Sequence, residues 1–320
     1  MKRIVSFIAA AAFALAAIPP SFAQGYPTKP IHLIVAFAPG GPVDTVARIV
    51  GQKVSELVGQ PIVVENRPSA SGNIGAQVVA KTAPDGYTIL ATSSAFAVNA
   101  TLFKAPGYEP RDFAPIVQAA TQPNVIVVKA DFPAKTLAEL LELAKTQKLA
   151  YASPGTGTTP HLTGEHIFRS IAHLDIVHIP HKGAGPAASA VVSGEPPIGS
   201  LAVTAPIPFI KSGRLRALAI SSAKRDPLLP DVPTFAELGY PEVEEYTWVG
   251  FFAPAGTSPD VVARLNGAIN AALRMPDVRE KLEALTLRPV GGTPQEFSEY
   301  VREEVARWGK LVKEIGAKVD

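Results

Sequence analysis

None of the 320 residues of this chain is a cysteine. Disulfides, thiolate zinc sites and a cysteine nucleophile are therefore excluded. Charge is also scarce, with 18% charged residues against 47% hydrophobic ones, a balance that builds a buried core rather than a disordered chain. Lys and Arg do not cluster into the basic surface that nucleic acid requires. G-x-G-x-x-G is missing after the first apolar run, and so is G-x-x-x-x-G-K-[ST], the other nucleotide fingerprint. The G-x-S-x-G nucleophile elbow is also missing. Beyond residue 23 no uncharged apolar run approaches the roughly 20 residues of a membrane span. There is no low-complexity linker and no short-period repeat.

What is present begins with an export signal. Lys2 and Arg3 form a basic head, Ile4 to Ile18 an apolar stretch, and Pro19-Pro20 a break. Ser21-Phe22-Ala23 then supplies the small residues of a cleavage site, which places cleavage after Ala23. The apolar stretch is too short for a membrane anchor. Cleavage removes Lys2 and Arg3 but no acid, so the formal charge falls from +2 to 0. The remaining length fits two domains of ordinary size.

Strand and helix patterns alternate along residues 24–320, which predicts an α/β architecture with parallel strands. Strands are expected over Ile31–Phe37, Pro61–Glu65, Tyr87–Thr92, Val125–Val128, Leu149–Ala152, Asp175–Ile179 and Leu215–Ile220. Between them, helices are expected over a stripe from Val43 to Leu57 and over Gly72–Lys81, Leu137–Thr146, Pro160–Ile171 and Ala184–Val192. Two further amphipathic helices follow, one marked by Val261, Leu265, Ile269 and Ala272, the other running from Phe297 to Ile315.

Three glycine-rich turns lead from strand to helix, the arrangement that offers backbone N–H groups and the positive end of a helix to an anion. The first is Pro39-Gly40-Gly41, followed by Asp44, itself a first-turn helix acid. The second runs from Ser153 through Gly155, Gly157, Thr158 and Thr159 to Pro160, with Thr159 as the expected N-cap. The third is His181-Lys182-Gly183, which adds a cation. Thr92-Ser93-Ser94 closes a strand at the end where α/β ligands sit. Five of the six histidines fall between His161 and His181. His161 and Glu165-His166 are spaced one residue wider than H-x-x-E-H, which puts the two imidazoles on different helix faces. Hydrogen-bonded histidines are expected there rather than a metal, and Glu242, Glu244 and Glu245 read as a solvated loop.

Beyond single motifs, the chain resembles the Bug-type periplasmic solute receptors, the extracytoplasmic binding proteins of tripartite tricarboxylate transporters. The resemblance runs end to end. It is carried by YPTKPIHLIVAFAPGGPVDTVAR (26–48), GQPIVVENRPSASGNIGAQVVAKTAPDGYTIL (59–90), KTLAELLELAK (135–145) and YASPGTGTTPHLTGE (151–165). DIVHIPHKGAGPA (175–187), KSGRLRALAISSAKRDPLLPDVPTFAELG (211–239), GFFAPAGTSPDVVARLNGAIN (250–270) and VGGTPQEF (290–297) continue it.

The resemblance implies a two-domain, type II-like Venus-flytrap fold with two interdomain crossovers. Domain 1 would comprise 25–124 plus 249–320, and domain 2 would comprise 125–248. A small carboxylate would bind in the cleft, with no cofactor and no catalysis, and a monomeric receptor would hand it to membrane permease subunits. Carried over by position, the ligand-binding residues are Pro39, Gly40, Gly41, Asp44, Thr92, Ser93 and Ser94 of domain 1. Domain 2 contributes Ser153, Gly155, Gly157, Thr158, Thr159 and His161, with Lys182 and Gly183 at the rim. Leu201 stands where the family carries a cleft-facing acid. Pro196 and Pro197 sit awkwardly for a central strand, and His181 replaces a common tyrosine. Two alternatives stay open: a sensor that presents its closed state to a signalling partner, and a hydrolase using His161 or Lys182.

Overall fold

The computed structural model of the chain describes residues 25–314 and 316; the expected export segment, residues 1–23, lies outside them. The order opens with β1 (Ile31–Val35), α1 (Pro42–Val58), β2 (Ile62–Asn66), α2 (Asn73–Ala80), β3 (Thr88–Ser93) and α3 (Ala95–Leu102). The long β4 (Phe113–Lys129) leads to α4 (Leu137–Ala144), β5 (Ala150–Ser153) and α5 (Thr159–Glu165), which runs on into a π-helical turn, His166–Ile171. Then come β6 (Val177–Pro180), α6 (Ala184–Ser193), β7 (Ile198–Ala202), α7 (Ile207–Lys211) and β8 (Leu215–Ile220). The chain finishes with β9 (Tyr246–Pro254), α8 (Pro259–Arg274), α9 (Pro276–Glu283), β10 (Arg288–Gly291) and α10 (Pro294–Glu314).

Two sheets share β4. The first has the order β2-β1-β3-β9-β4-β10 and the second β6-β5-β7-β4-β8. Residues Phe113–Pro123 of β4 pair with β9, and from Asn124 onward the same strand pairs with β7 and β8. The returning strand enters the first sheet at Tyr246, opposite Pro123. The chain thus passes between the sheets twice, side by side. Pairing is parallel within β2-β1-β3 and β6-β5-β7, as expected. It is antiparallel wherever β4 or β9 takes part. The expectation of parallel strands is corrected there; for β4 and β9, an outgoing and a returning segment laid side by side run in opposite directions.

Pro196 and Pro197 do not disturb β7, which begins one residue later at Ile198. The carbonyl of Pro197 accepts from Lys129 N at 2.8 Å, so Pro197 joins the edge of the ladder through the acceptor it has. Alternation along β4 explains how the second sheet is covered on both faces. Val125 and Val127 pack with Ala187 and Val191 of α6, whereas Ile126 and Val128 pack with Leu137 and Leu140 of α4. Around the first sheet, α1 contributes Val43, Val46, Val50 and Val54, and α10 contributes Phe297, Val301 and Trp308.

The C-terminal helix α10 is pinned to the first sheet by a buried carboxylate. Glu304 Oε2 accepts from Trp248 Nε1 at 3.0 Å and from Trp308 Nε1 at 2.8 Å, while Arg307 pairs with Oε1 at 3.1 Å. Replacing it by an apolar residue strands two buried indole N–H groups. Glu304→Leu should therefore lower unfolding stability in urea by about 2–4 kcal/mol, and Glu304→Gln, which keeps an acceptor, by clearly less.

Candidate functional site

The loops at one edge of the two sheets meet backbone to backbone. Ala38 N donates to Lys182 O at 2.9 Å. A Cβ on Gly155, whose φ is +142°, would lie 1.2 Å from the carbonyl oxygen of Ala70. One on Gly185 would lie 2.4 Å from the carbonyl oxygen of Pro39. The second and third glycine turns are thus read physically: glycine is required because one backbone rests on another.

Between these loops lies a small cavity of about 20 Å³, room for about one water. Gly41, Pro42 and Val43 close one side, and Thr158, Pro160 and Ala184 the other. Ser93, Ala202 and Thr247 complete it with Phe37 and Pro154. A wider, charged groove of about 650 Å³ between Asp226–Leu228 and α9–β10 shares none of these residues.

Three helices start at the cavity. Helices α1 and α6 have glycine N-caps, Gly41 and Gly183, and neither has a side-chain cap. Their first-turn N–H groups have no partner within the helix and carry its positive end. The third, α5, is capped by Thr158, whose hydroxyl donates to Gly155 O at 2.7 Å and accepts from His161 N at 3.4 Å. The cap is thus one residue earlier than Thr159, because the Thr159 hydroxyl is engaged sideways.

That sideways bond belongs to a chain of hydroxyls between the sheets. Thr247 Oγ1 donates to Asn124 Oδ1 at 2.7 Å, so it must accept from Thr159 Oγ1 at 2.6 Å. Thr159 in turn accepts from Ser94 Oγ at 3.0 Å. A carbonyl acceptor at one end therefore orients every proton in the chain. Asn124 Nδ2 also donates to Thr163 Oγ1 at 2.9 Å, and Thr163 meets the carboxylate of Glu245. Glu245 is fully buried and also contacts His166 Nδ1 at 3.1 Å, which corrects the reading of this acid as part of a solvated loop.

The remaining expected residues divide clearly. Gly41, Ser93 and Thr158 line the cavity, Gly183 caps α6 beside it, and Ser94 and Thr159 join across it. Pro39 and Gly40 are exposed on their turn, and Gly40 N donates to Asp44 Oδ2 at 3.2 Å. Asp44 also accepts from Arg48 Nε at 2.9 Å and Asn66 Nδ2 at 3.0 Å, so it shapes the turn. Burial alone would raise its pKa, yet the bonds from Arg48, Asn66 and Gly40 hold it below the usual carboxylate value. Thr92 is buried within β3, opposite Gly250 of β9. Ser153 Oγ sits 2.6 Å from His178 Nε2 and accepts from Gly155 N at 3.0 Å. Gly157 N donates to His161 Nδ1 at 3.3 Å.

Lys182 is exposed and meets the other sheet only through its carbonyl. Leu201 does not reach the cavity: it is buried with Val125 and Val127 in the core beneath α6, and its neighbour Ala202 lines the wall instead. Along a strand adjacent residues face opposite ways, so a count off by one selects the wrong face. Asn124, Thr163, Ala184, Ala202, Glu245 and Thr247 were not anticipated.

The His161 and His166 imidazoles do face different surroundings, as their spacing implies. The ring of His161 lies 4.1 Å from that of His178, centroid to centroid. Burial, with His178 and Arg169 nearby, lowers the His161 pKa to about 3. Burial, followed by the charge of His181, lowers His178 to about 4. Both are neutral at physiological pH.

Two α/β sheets joined by paired crossing strands, with glycine-capped helices meeting between them, define a solute receptor of the periplasmic-binding type. The chain belongs to the tripartite tricarboxylate transporter family of receptors, TctC, whose model matches residues 46–317. It is similar to the solved periplasmic binding protein BugD, with 34% identity and a TM-score of 0.88 over 92% of this chain and 99% of that one. It is similar also to Rpa4515 of R. palustris, solved with adipate, at 34% identity and a TM-score of 0.87, covering 91% of this chain and 98% of that one. MatC of Rhodopseudomonas palustris, solved with bound malate, is 32% identical with a TM-score of 0.86, covering 90% and 100%.

Two outcomes are expected. Thr159→Val keeps the shape of the side chain but breaks the hydroxyl chain on both sides. It should cost about 1–3 kcal/mol in unfolding stability, for the buried partners left unsatisfied. Acid should act through His161. Its folded pKa lies below the ordinary 6.5, so the unfolded chain binds the proton first and stability falls as pH drops from about 6.5 toward 3. The slope approaches ~1.4 kcal/mol per pH unit for this one imidazole, and urea titrations of His161→Asn should be flatter between pH 6.5 and 5.

Proposed function

We propose that this chain is exported, loses its signal after Ala23, and captures a small carboxylate in the periplasm for a tripartite tricarboxylate-type permease. It acts as a monomer of two lobes, 25–124 with 249–320 and 125–248, hinged where β4 and β9 cross. The observation that carries the reading is the pair of uncapped helix starts, Gly41 of α1 and Gly183 of α6, facing one cavity. Such ends hold a carboxylate through charge-assisted bonds from backbone N–H groups without any cationic side chain. The adipate and malate held by two structural relatives favour the same ligand class.

No bond is made or broken in this reading. His161 commits Nδ1 to the Gly157 N–H, and Lys182 is exposed, so neither is set against a nucleophile. Closure works through the glycine contacts, which require the lobes to approach until backbones touch.

The test is a calorimetric titration of residues 24–320, stripped of ligand by unfolding and refolding, with a panel of carboxylic acids. A true ligand at one hundred times its Kd should also add about 2.7 kcal/mol of stability. Gly155→Ala places a methyl group against the Ala70 carbonyl. It should weaken binding at least tenfold while the far-ultraviolet circular dichroism stays unchanged. Full affinity in that variant removes loop closure from binding, and an absence of heat with every acid removes the carboxylate.

A further inference from the structure

Among the described residues, the cavity wall carries no charged side chain. Phe37, Val43 and Ala202 contribute carbon, and so do Pro42, Pro154 and Pro160, none of which has an N–H to donate. Of its three polar side chains, Thr158 is committed to Gly155 O and Thr247 to Asn124. Only Ser93, which accepts from Ala95 N at 3.3 Å, keeps its proton free for a ligand.

Arg48 and Arg169 are engaged elsewhere, and Lys182 stands outside the cavity wall. Arg48 holds Asp44 and Asn66, each at 2.9 Å. Arg169 pairs with Glu165 at 3.4 Å and Asp175 at 3.5 Å. Lys182 is exposed at the rim. His161 and His178, whose rings lie 4.1 Å apart beside the second glycine turn, are held neutral by burial. The helix starts at Gly41 and Gly183 therefore form one anion-binding subsite, and the remaining wall offers carbon. A second carboxylate enclosed against that wall would lose its hydration and gain no partner.

Resting on the carboxylate-receptor reading above, we infer that the site selects a monocarboxylate with an apolar aliphatic or aromatic body over a dicarboxylate. The carboxylate lies at the starts of α1 and α6, and the loops part from their present contact so that the body packs on Val43, Ala202 and the prolines. This choice separates the chain from the two structural relatives solved with adipate and malate.

Matched pairs of acids isolate the second carboxylate. Hexanoate and adipate differ only in the far end of a six-carbon chain, and benzoate and terephthalate differ likewise on an aromatic ring. Each is titrated calorimetrically into refolded residues 24–320, with malate as a further dicarboxylate. In a pair that binds, the monocarboxylate should bind at least tenfold tighter than its dicarboxylate partner. A dicarboxylate that binds as tightly as its partner, or malate as the one acid bound, overturns this selectivity and leaves the receptor reading standing. Failure of all five acids overturns the selectivity together with the carboxylate reading.

Discussion

The closest constraint in the molecule is the contact of backbone on backbone between the two sheets. At Gly155, Gly183 and Gly185 a glycine stands where the opposite chain leaves no room for a side chain or where φ is positive. Everything else at the site follows from that approach. It brings the starts of α1 and α6 to one cavity, and it sets Ser94, just after β3 of the first sheet, within hydrogen-bond distance of Thr159 beside the second. Larger residues would hold the loops apart, and the helix ends would face water, where their partial charges are screened.

The hydroxyl chain links this contact to the crossing strands. Ser94 to Thr159 spans the cleft, Thr247 belongs to the returning strand, and Asn124 is the first residue of β4 in the second sheet. Glu245 and His166 extend the network behind it. In the proposed closure, the segment that bends is lined with polar bonds that can re-form, rather than with interlocked apolar side chains. Buried polar groups of this kind are costly when unsatisfied, so they favour defined arrangements over intermediate ones.

Much of this was legible from local pattern. The opening strands and helices and the glycine turns follow from apolar periodicity and from turn chemistry. The resemblance added the two crossovers, which periodicity alone does not reveal. What escaped shares a physical origin, namely long-range partners. Glu245 looks solvated beside Glu242 and Glu244, yet Thr163 and His166, some eighty residues earlier, bury it. The part of β4 before Asn124 carries Pro115, Gln118 and Gln122, and only Val125–Val128 reads as strand. Its other residues are held by the neighbouring strands β9 and β10. Leu201 was misplaced because one residue along a strand exchanges core for cleft.

The most direct measurement is a crystal structure of residues 24–320 grown with a carboxylic acid that binds. Expected is a carboxylate within hydrogen-bond distance of first-turn N–H groups of both α1 and α6, with Gly155 against Ala70. A ligand held instead by the Lys182 ammonium, or seated in the charged groove beside Asp226 and Arg288, contradicts the assignment of the helix starts as the binding site.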